Sequence, residues 1–174
     1  MPMRGGDGPE AAGAFIVTGM TVEDLVWRDG AIVGVKAGGE GDELYADVVV
    51  LADGANSLLA QKAGLHREWL PSEQALVAKE LIRLSEEVIN ERFNLPPGLG
   101  LAMEVFGEST AGLLGYGFIY TNRETLSVGT GALLSDLIES GLNVSDMLDR
   151  FKRHPAIAPL LEGGELIEYS AHLI

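Results

Sequence analysis

Residues 112–131 read GLLGYGFIYTNRETLSVGTG, with aromatic residues and glycines in alternation. The aromatic positions are two apart, so a β-strand would place all three rings on one face: Tyr116, Phe118 and Tyr120. Gly115 and Gly117 would then lie on the opposite face and leave it bare. Glycine inside a strand often marks close approach by another group, so the pattern suits a flat ring or a long apolar ligand. Core packing under a helix is the alternative interpretation.

Turn residues around this stretch divide the second part of the chain into short elements. The pattern predicts three strands over 99–106, 111–120 and 125–131, joined as an antiparallel meander. It also predicts a strand over 75–84 and a helix over 86–93. Within that fourth strand, Lys79-Glu80 interrupts an apolar run, which indicates an exposed strand face, with the lining of a cleft as the alternative.

The end of the chain predicts one helix and one strand. Apolar residues recur at helical spacing from Val144 to Phe151, and His154-Pro155 ends that helix. Residues 164–174, GELIEYSAHLI, are typical of a strand whose apolar side chains still lack neighbours. We therefore expect the chain to stop in mid-fold.

Residues 14–56 carry four short β-like runs, at 15–17, 21–27, 31–36 and 44–52. Asp29-Gly30 is a hairpin signal between the second and third runs. The fourth run contains VVVLA at 48–52, which does not alternate. A continuous run of this kind predicts a strand buried on both faces, as in a parallel sheet covered by helices.

The segment DVVVLADGANS, residues 47–57, is the first candidate ligand site. A parallel strand that ends at Ala52 delivers Asp53-Gly54 to the carboxyl edge of the sheet, where ligands of open α/β folds bind. Glycine lets the backbone approach a ligand, and the carboxylate can accept hydrogen bonds from ribityl or ribose hydroxyls. A generic turn before a helix over 57–63, capped by Asn56 or Ser57, is the alternative.

Composition excludes several classes of function. The chain has 174 residues and a net charge of −14, which disfavours a nucleic-acid partner. It has no cysteine, so any redox chemistry needs an organic cofactor. The three histidines are scattered, and no metal site is expected. Residues 1–12 are expected to form a disordered leader, and the chain is expected to be cytoplasmic, since no apolar run is long enough for a membrane span.

At DVVVLADGANSLLAQKAGL together with GYGFIYTNRETLSVGTG, the chain resembles the geranylgeranyl-reductase-like flavoproteins. Among them it is most similar to the FixC-type electron-transfer-flavoprotein:quinone oxidoreductases of bacteria. The resemblance implies an α+β fold, in which an antiparallel substrate domain with flanking helices is attached to a partial FAD-binding segment of the glutathione-reductase (Rossmann) type. The expected boundaries are 13–66 for the FAD-binding part and 67–174 for the quinone-cavity part.

The resemblance also implies roles for individual residues. Ala52, Asp53 and Gly54 match the short motif that approaches FAD, and Val22 matches the position near the adenine. Tyr116, Gly117, Phe118 and Tyr120 match the segment that lines the substrate cavity. Phe118 stands where related polyprenyl reductases carry tryptophan, which favours a quinone over an isoprenoid double bond.

The resemblance predicts that the chain is part of an enzyme passing electrons from an electron-transfer flavoprotein, with a ferredoxin-like protein as a further partner, to a membrane quinone. Peripheral association with the inner face of the membrane is left open. The sequence contains no G-x-G-x-x-G turn after a strand, so the chain alone is expected to be inactive and to bind FAD weakly or not at all. A polyprenyl reductase, and a non-catalytic domain that binds an apolar ligand or a partner, remain the alternatives.

Overall fold

The structure is a computed structural model that describes residues 13–39 and 41–174. The expected leader, residues 1–12, lies outside the described residues. The chain divides into two compact units, Met1–Arg67 and Glu68–Ile174. Each unit contains an antiparallel sheet and at least one helix, so the expected α+β class is confirmed.

The first unit contains a three-stranded antiparallel sheet formed by β1 (Val22–Arg28), β2 (Ala31–Ala37) and β3 (Asp42–Tyr45), followed by α1 (Leu58–Lys62). The hairpin between β1 and β2 turns at Asp29 and Gly30, whose φ angles are 51° and 79°. Two successive positive φ angles are the requirement of a type I′ turn, so the hairpin signal is confirmed.

The predicted strand at 15–17 does not form, and of the predicted strand at 44–52 only the first two residues lie in a strand, the end of β3. Residues 15–17 and 48–52 have no strand partner among the described residues, and Phe15, Val48 and Val50 are 92%, 75% and 82% exposed. A strand buried on both faces needs neighbouring strands and a layer of helices on each side. The described residues supply neither around 48–52, so the prediction of a buried parallel strand is wrong for this structure.

The second unit contains a five-stranded sheet in the order β5-β6-β7-β4-β8, in which every neighbouring pair is antiparallel. The predicted meander over β5, β6 and β7 is confirmed. The strands are β4 (Ala75–Arg83), β5 (Ala102–Val105), β6 (Gly115–Thr121), β7 (Thr125–Leu133) and β8 (Glu165–Leu173). The helices are α2 (Glu86–Arg92), α3 (Leu134–Ser140), α4 (Val144–Arg153) and α5 (Ala158–Leu161).

The core of this unit lies between the helices and one face of the sheet. It forms because β4 and β7 present alternate side chains to the apolar stripe of α4, which confirms the predicted helix. Asn143 begins α4, and its Oδ1 accepts a hydrogen bond from the Ser145 amide at 2.8 Å. The most deeply buried members of this core are Ala78, Ile89, Ile119, Leu126, Val128, Ala132 and Leu148.

The strand β8 lies at the edge of the sheet and pairs with β4 alone. Leu166 and Ile167 are 55% and 40% exposed, which agrees with the expectation that this strand leaves apolar side chains without neighbours. Among the described residues, no helix combines the length and the apolar character needed to cross a bilayer.

Lys79 and Glu80 of β4 point to opposite faces of the sheet. Glu80 faces the helices, where it is 7% exposed and accepts hydrogen bonds from the Lys152 ammonium at 2.7 and 2.8 Å. Lys79 points to the other face. The expectation that this pair lies on an exposed strand face is therefore wrong for Glu80. The Lys152 ammonium on α4 compensates for the burial of its carboxylate.

Candidate functional site

One face of the larger sheet carries no helix of its own unit, and we call it the open face. Its side chains come from alternate positions of β6, β7, β4 and β8, and none of them belongs to the core beneath the helices. The residues that define it are Tyr116, Phe118, Tyr120, Gly129, Gly131, Val77, Lys79 and Ser170.

The predicted aromatic row is present on the open face. The ring centroids of Tyr116 and Phe118 are 6.1 Å apart, and those of Phe118 and Tyr120 are 4.7 Å apart with the rings stacked. Phe106, which the sequence reasoning missed, extends the row with its ring 6.1 Å from that of Tyr116. The result is a continuous row of four rings, three from β6 and one from the residue that follows β5, which we call the aromatic wall.

Glycines on β7 allow these rings to lie on the sheet. Gly129 is the cross-strand partner of Phe118, and a Cβ added to Gly129 would overlap the Phe118 ring. That Cβ would also lie 2.8 Å from the carbonyl oxygen of Ala78. Gly129 and Gly131 are two positions apart, like the aromatic residues. This spacing was the sequence signal that could have identified a row of glycines beside the aromatic row.

The glycine face of β6 is not bare. A Cβ added to Gly117 would lie 2.9 Å from the Ser109 Cβ and 3.1 Å from two ring atoms of Phe151 on α4. Gly117 therefore permits close packing of this helix and does not line the open face. The alternative of core packing under a helix is thus correct for Gly117 and wrong for the aromatic side chains, which face away from the helices.

A hollow of about 260 Å³ lies at the Tyr116 end of the open face. Its lining is almost entirely apolar and includes Val77, Phe106, Tyr116, Phe118 and Gly131. A concave, aromatic-lined surface of this kind is typical of sites for small apolar ligands.

A second hollow, of about 430 Å³, lies on the other side of the sheet beside α4 and α5. Met103, Phe151 and Ile157 line it, with Arg150 and His154 among its polar groups. It lacks the row of stacked rings, and it provides the comparison site for the experiments below.

The hydroxyl group of Tyr120 is a polar group within the aromatic wall. Partial burial, with smaller contributions from Tyr116 and Glu104, raises the pKa of Tyr120 above its ordinary value. The phenol therefore stays protonated near neutral pH and can donate a hydrogen bond to a ligand oxygen.

The first unit holds the other predicted site residues. Ala52, Asp53 and Gly54 lie exposed in the segment before α1, and Gly54 has a φ of 82° with no atom near the position of a Cβ. Val22 begins β1 and is 41% exposed. Lys62 at the end of α1 donates to the Glu23 carbonyl at 2.9 Å, which ties α1 to β1 one residue beyond Val22.

Ser57 occupies the N-cap position of α1, as one of the two predicted alternatives had it, but the side chain that accepts a hydrogen bond from the first turn is that of Asp53. Its Oδ1 accepts from the Ser57 hydroxyl at 2.9 Å, and its Oδ2 accepts from the Leu59 amide at 3.3 Å. The hydrogen bond from Ser57 lowers the pKa of Asp53 below its ordinary value. The carboxylate has acceptor capacity left for a ligand hydroxyl, but its position is determined by the helix.

Replacing Asp53 by Asn is expected to loosen the first turn of α1, because an amide accepts these bonds less strongly than a carboxylate. Hydrogen exchange of the Leu59 amide should accelerate relative to the parent chain. Asp47→Asn, at an exposed position that makes none of these contacts, is the matched control. Equal exchange rates in the two variants would contradict a capping role.

The amino-acid sequence of the chain is similar to those of known proteins. No family model matches the chain. Protein FixC of Escherichia coli strain K12 is 48% identical to it over 165 residues, which cover 95% of this chain and 38% of that protein. Protein FixC of Azorhizobium caulinodans is 45% identical over 164 residues, with 94% of this chain and 38% of that protein covered. Over the segment that they share, the chain is similar to the FixC proteins, and it spans 38% of their length. The expected resemblance is confirmed.

Parts of solved structures share the fold of this chain. A geranylgeranyl bacteriochlorophyll reductase-like protein from Thermoplasma acidophilum superimposes with a TM-score of 0.65 at 18% identity, covering 89% of this chain and 36% of that protein. The flavin-dependent brominase Bmp2 superimposes with a TM-score of 0.61 at 16% identity, covering 89% and 37%. The chain therefore shares its architecture with parts of proteins whose names describe different chemistries.

Proposed function

We propose that this chain forms the substrate-cavity part of a FAD-dependent oxidoreductase that passes electrons from an electron-transfer flavoprotein to a membrane quinone. The chain spans 38% of the length of the FixC relatives, so the activity belongs to an assembled protein of which this segment is one part. The first unit, with Val22 and residues 52–54, is proposed to contribute to the FAD-binding, glutathione-reductase-type domain.

The observation that carries this proposal is the aromatic wall of the open face. A quinone headgroup is a flat, weakly polar ring, and the half-buried rings of Tyr116 and Tyr120, beside the buried Phe118, offer it an apolar aromatic surface. The hollow beside Tyr116 is large enough for a small ring and has few polar groups that would retain water.

The residues present fit the part of FAD that they would meet. Gly54 leaves its backbone open, and Asp53 has acceptor capacity for a ribityl hydroxyl. FAD, when bound, supplies the ability to take up and release electrons, which protein side chains lack.

The chain's own residues perform the other tasks of the reaction. Phe118 and Tyr120 position the quinone ring and exclude water, which keeps the electrostatic environment of the site constant during reduction. Tyr120 keeps its proton and donates a hydrogen bond. Reduction of the quinone to the quinol consumes two electrons and two protons, both of which a reduced FAD would release.

The acidic character of the chain suits partners with basic docking surfaces. With a net charge of −14, it would attract a basic patch on an electron-transfer flavoprotein or a ferredoxin-like protein and accelerate their encounter. We place the protein in the cytoplasm, in peripheral contact with the membrane that holds the quinone.

The 174-residue chain by itself is expected to bind FAD weakly, since its sequence contains no glycine-rich turn to bind the pyrophosphate. After gel filtration, the purified chain should carry far less than one flavin per molecule, measured by visible flavin absorbance. Co-purification of FAD at full stoichiometry would contradict this expectation.

A chimera tests the whole proposal. The matching 165 residues of Escherichia coli FixC are replaced by those of this chain, with the unmodified FixC as the control. After anaerobic reduction of the flavin, a short-chain ubiquinone should reoxidise it. The proposal fails if the chimera holds FAD that is reduced normally but not reoxidised by the quinone. Turnover of a geranylgeranyl lipid without any effect of quinone would instead favour the polyprenyl reductase.

A further inference from the structure

Lys79 on the open face lacks the acidic partner that every other lysine of the chain has. Lys36, Lys62 and Lys152 lie 3.9, 3.3 and 2.7 Å from the carboxylates of Glu43, Asp24 and Glu80. No described residue forms a hydrogen bond or an ion pair with Lys79, although the chain has 26 acidic residues against 12 basic ones. Partial burial of a cation costs free energy when no acidic partner compensates for the lost hydration.

A second polar group beside Lys79 is also unsatisfied. Lys79 is the cross-strand partner of Ser170 on β8, and the Ser170 hydroxyl oxygen is buried without a hydrogen-bond partner among the described residues. Buried hydroxyls normally have a partner, and this one is left with an unused donor. The ammonium and the hydroxyl are both hydrogen-bond donors.

The register places these donors next to the aromatic wall. On the other side of Lys79 lies Gly129, and the next cross-strand partner after Gly129 is Phe118. Neighbouring positions across strands have their Cβ atoms about 5 Å apart. Gly129 has no side chain, so no Cβ atom separates the stem of Lys79 from the Phe118 ring, which lies over Gly129.

We propose that Lys79 and Ser170 bind one carbonyl oxygen of the quinone whose ring lies against Phe118. This inference rests on the proposed function and deepens it by naming the groups that orient the substrate. The occupant follows from the arrangement: a flat ring suits the aromatic wall, and an oxygen that gains negative charge on reduction suits an ammonium donor. Lys79 acts by binding this oxygen through its ammonium group.

The test uses the chimera with bound FAD described above, and compares Lys79→Met with Lys79→Arg. Loss of a hydrogen bond from a charged donor corresponds to about a tenfold change in affinity or more. Lys79→Met should raise the KM for a short-chain ubiquinone about tenfold, with the flavin spectrum and its reduction by dithionite unchanged. Lys79→Arg, which keeps a cationic donor, should recover part of that loss.

Two further variants separate binding from folding. Lys36→Met removes an equal charge from the first unit and should leave the KM for quinone unchanged. Ser170→Ala should raise the KM about threefold, since a neutral hydrogen bond is weaker than a charged one. It provides the test if Lys79→Met does not fold.

Each remaining outcome overturns the inference in a recognisable way. An active chimera whose KM for quinone is the same in Lys79→Met and Ser170→Ala shows that these groups do not touch the quinone. A shifted flavin potential with an unchanged KM assigns Lys79 to the cofactor. A chimera that holds FAD but never reduces quinone removes the proposed function itself, and the inference with it.

Discussion

Replacing Lys152 by Met is expected to lower the free energy of unfolding of the second unit by about 3 kcal/mol. The change leaves the Glu80 carboxylate, 7% exposed, without the ammonium that now lies 2.7 Å away. Burial acts to lower the pKa of Lys152, but its hydrogen bonds to Glu80 and Asp149 outweigh that effect and raise the pKa overall. Urea unfolding of the 174-residue chain measures the loss.

The double replacement Glu80→Leu with Lys152→Met identifies the cause. Removing both charges leaves no uncompensated carboxylate, so the double variant should recover most of the stability. Lys36→Met, which removes a partly exposed lysine, should change the free energy of unfolding by less than about 1 kcal/mol. If the double variant is as unstable as Lys152→Met, the loss in the free energy of unfolding comes from altered packing and not from an uncompensated charge.

Replacing Phe118 by Ala is expected to cost about 3 kcal/mol of stability and to remove the quinone site. The ring is 7% exposed, stacks on Tyr120 and fills the space above Gly129, so its loss opens a cavity in the wall. Two measurements are needed: urea unfolding of the chain, and quinone reoxidation of reduced flavin in the chimera.

Phe106→Ala is the matched control for Phe118. Phe106 belongs to the same aromatic row but is 69% exposed, so its loss should cost less than about 1 kcal/mol. It should also weaken quinone binding less than Phe118→Ala does. Equal effects of the two substitutions on both measurements would mean that the centre of the row has no special role.

The sequence predicted the local elements of the second unit correctly, because their signals are contained within short stretches. The alternation of Tyr116, Phe118 and Tyr120 determines which side chains share a face whatever the strand pairs with. The helical spacing from Val144 to Phe151 likewise selects an apolar stripe without knowledge of its partner. In the same way, Asp29-Gly30 specifies its own turn.

The sequence could not reveal what covers each face of the sheet. That Gly117 would meet Phe151, and that Glu80 would meet Lys152, depends on pairings between residues 34 and 72 positions apart. The prediction for 48–52 failed for the same kind of reason, since a buried strand is defined by its neighbours and not by its own composition. The donor pair Lys79 and Ser170 becomes visible only once β4 and β8 are known to be adjacent.

Titrating the isotope-labelled chain with a short-chain ubiquinone, while recording the backbone amide NMR spectrum, measures directly whether the open face binds a quinone. The largest shifts are expected at Phe118, Gly129 and Gly131, with smaller shifts at Lys79. Shifts concentrated instead at Met103, Phe151 and Ile157, in the hollow beside α4, would contradict the assignment of the open face, as would a spectrum that does not change.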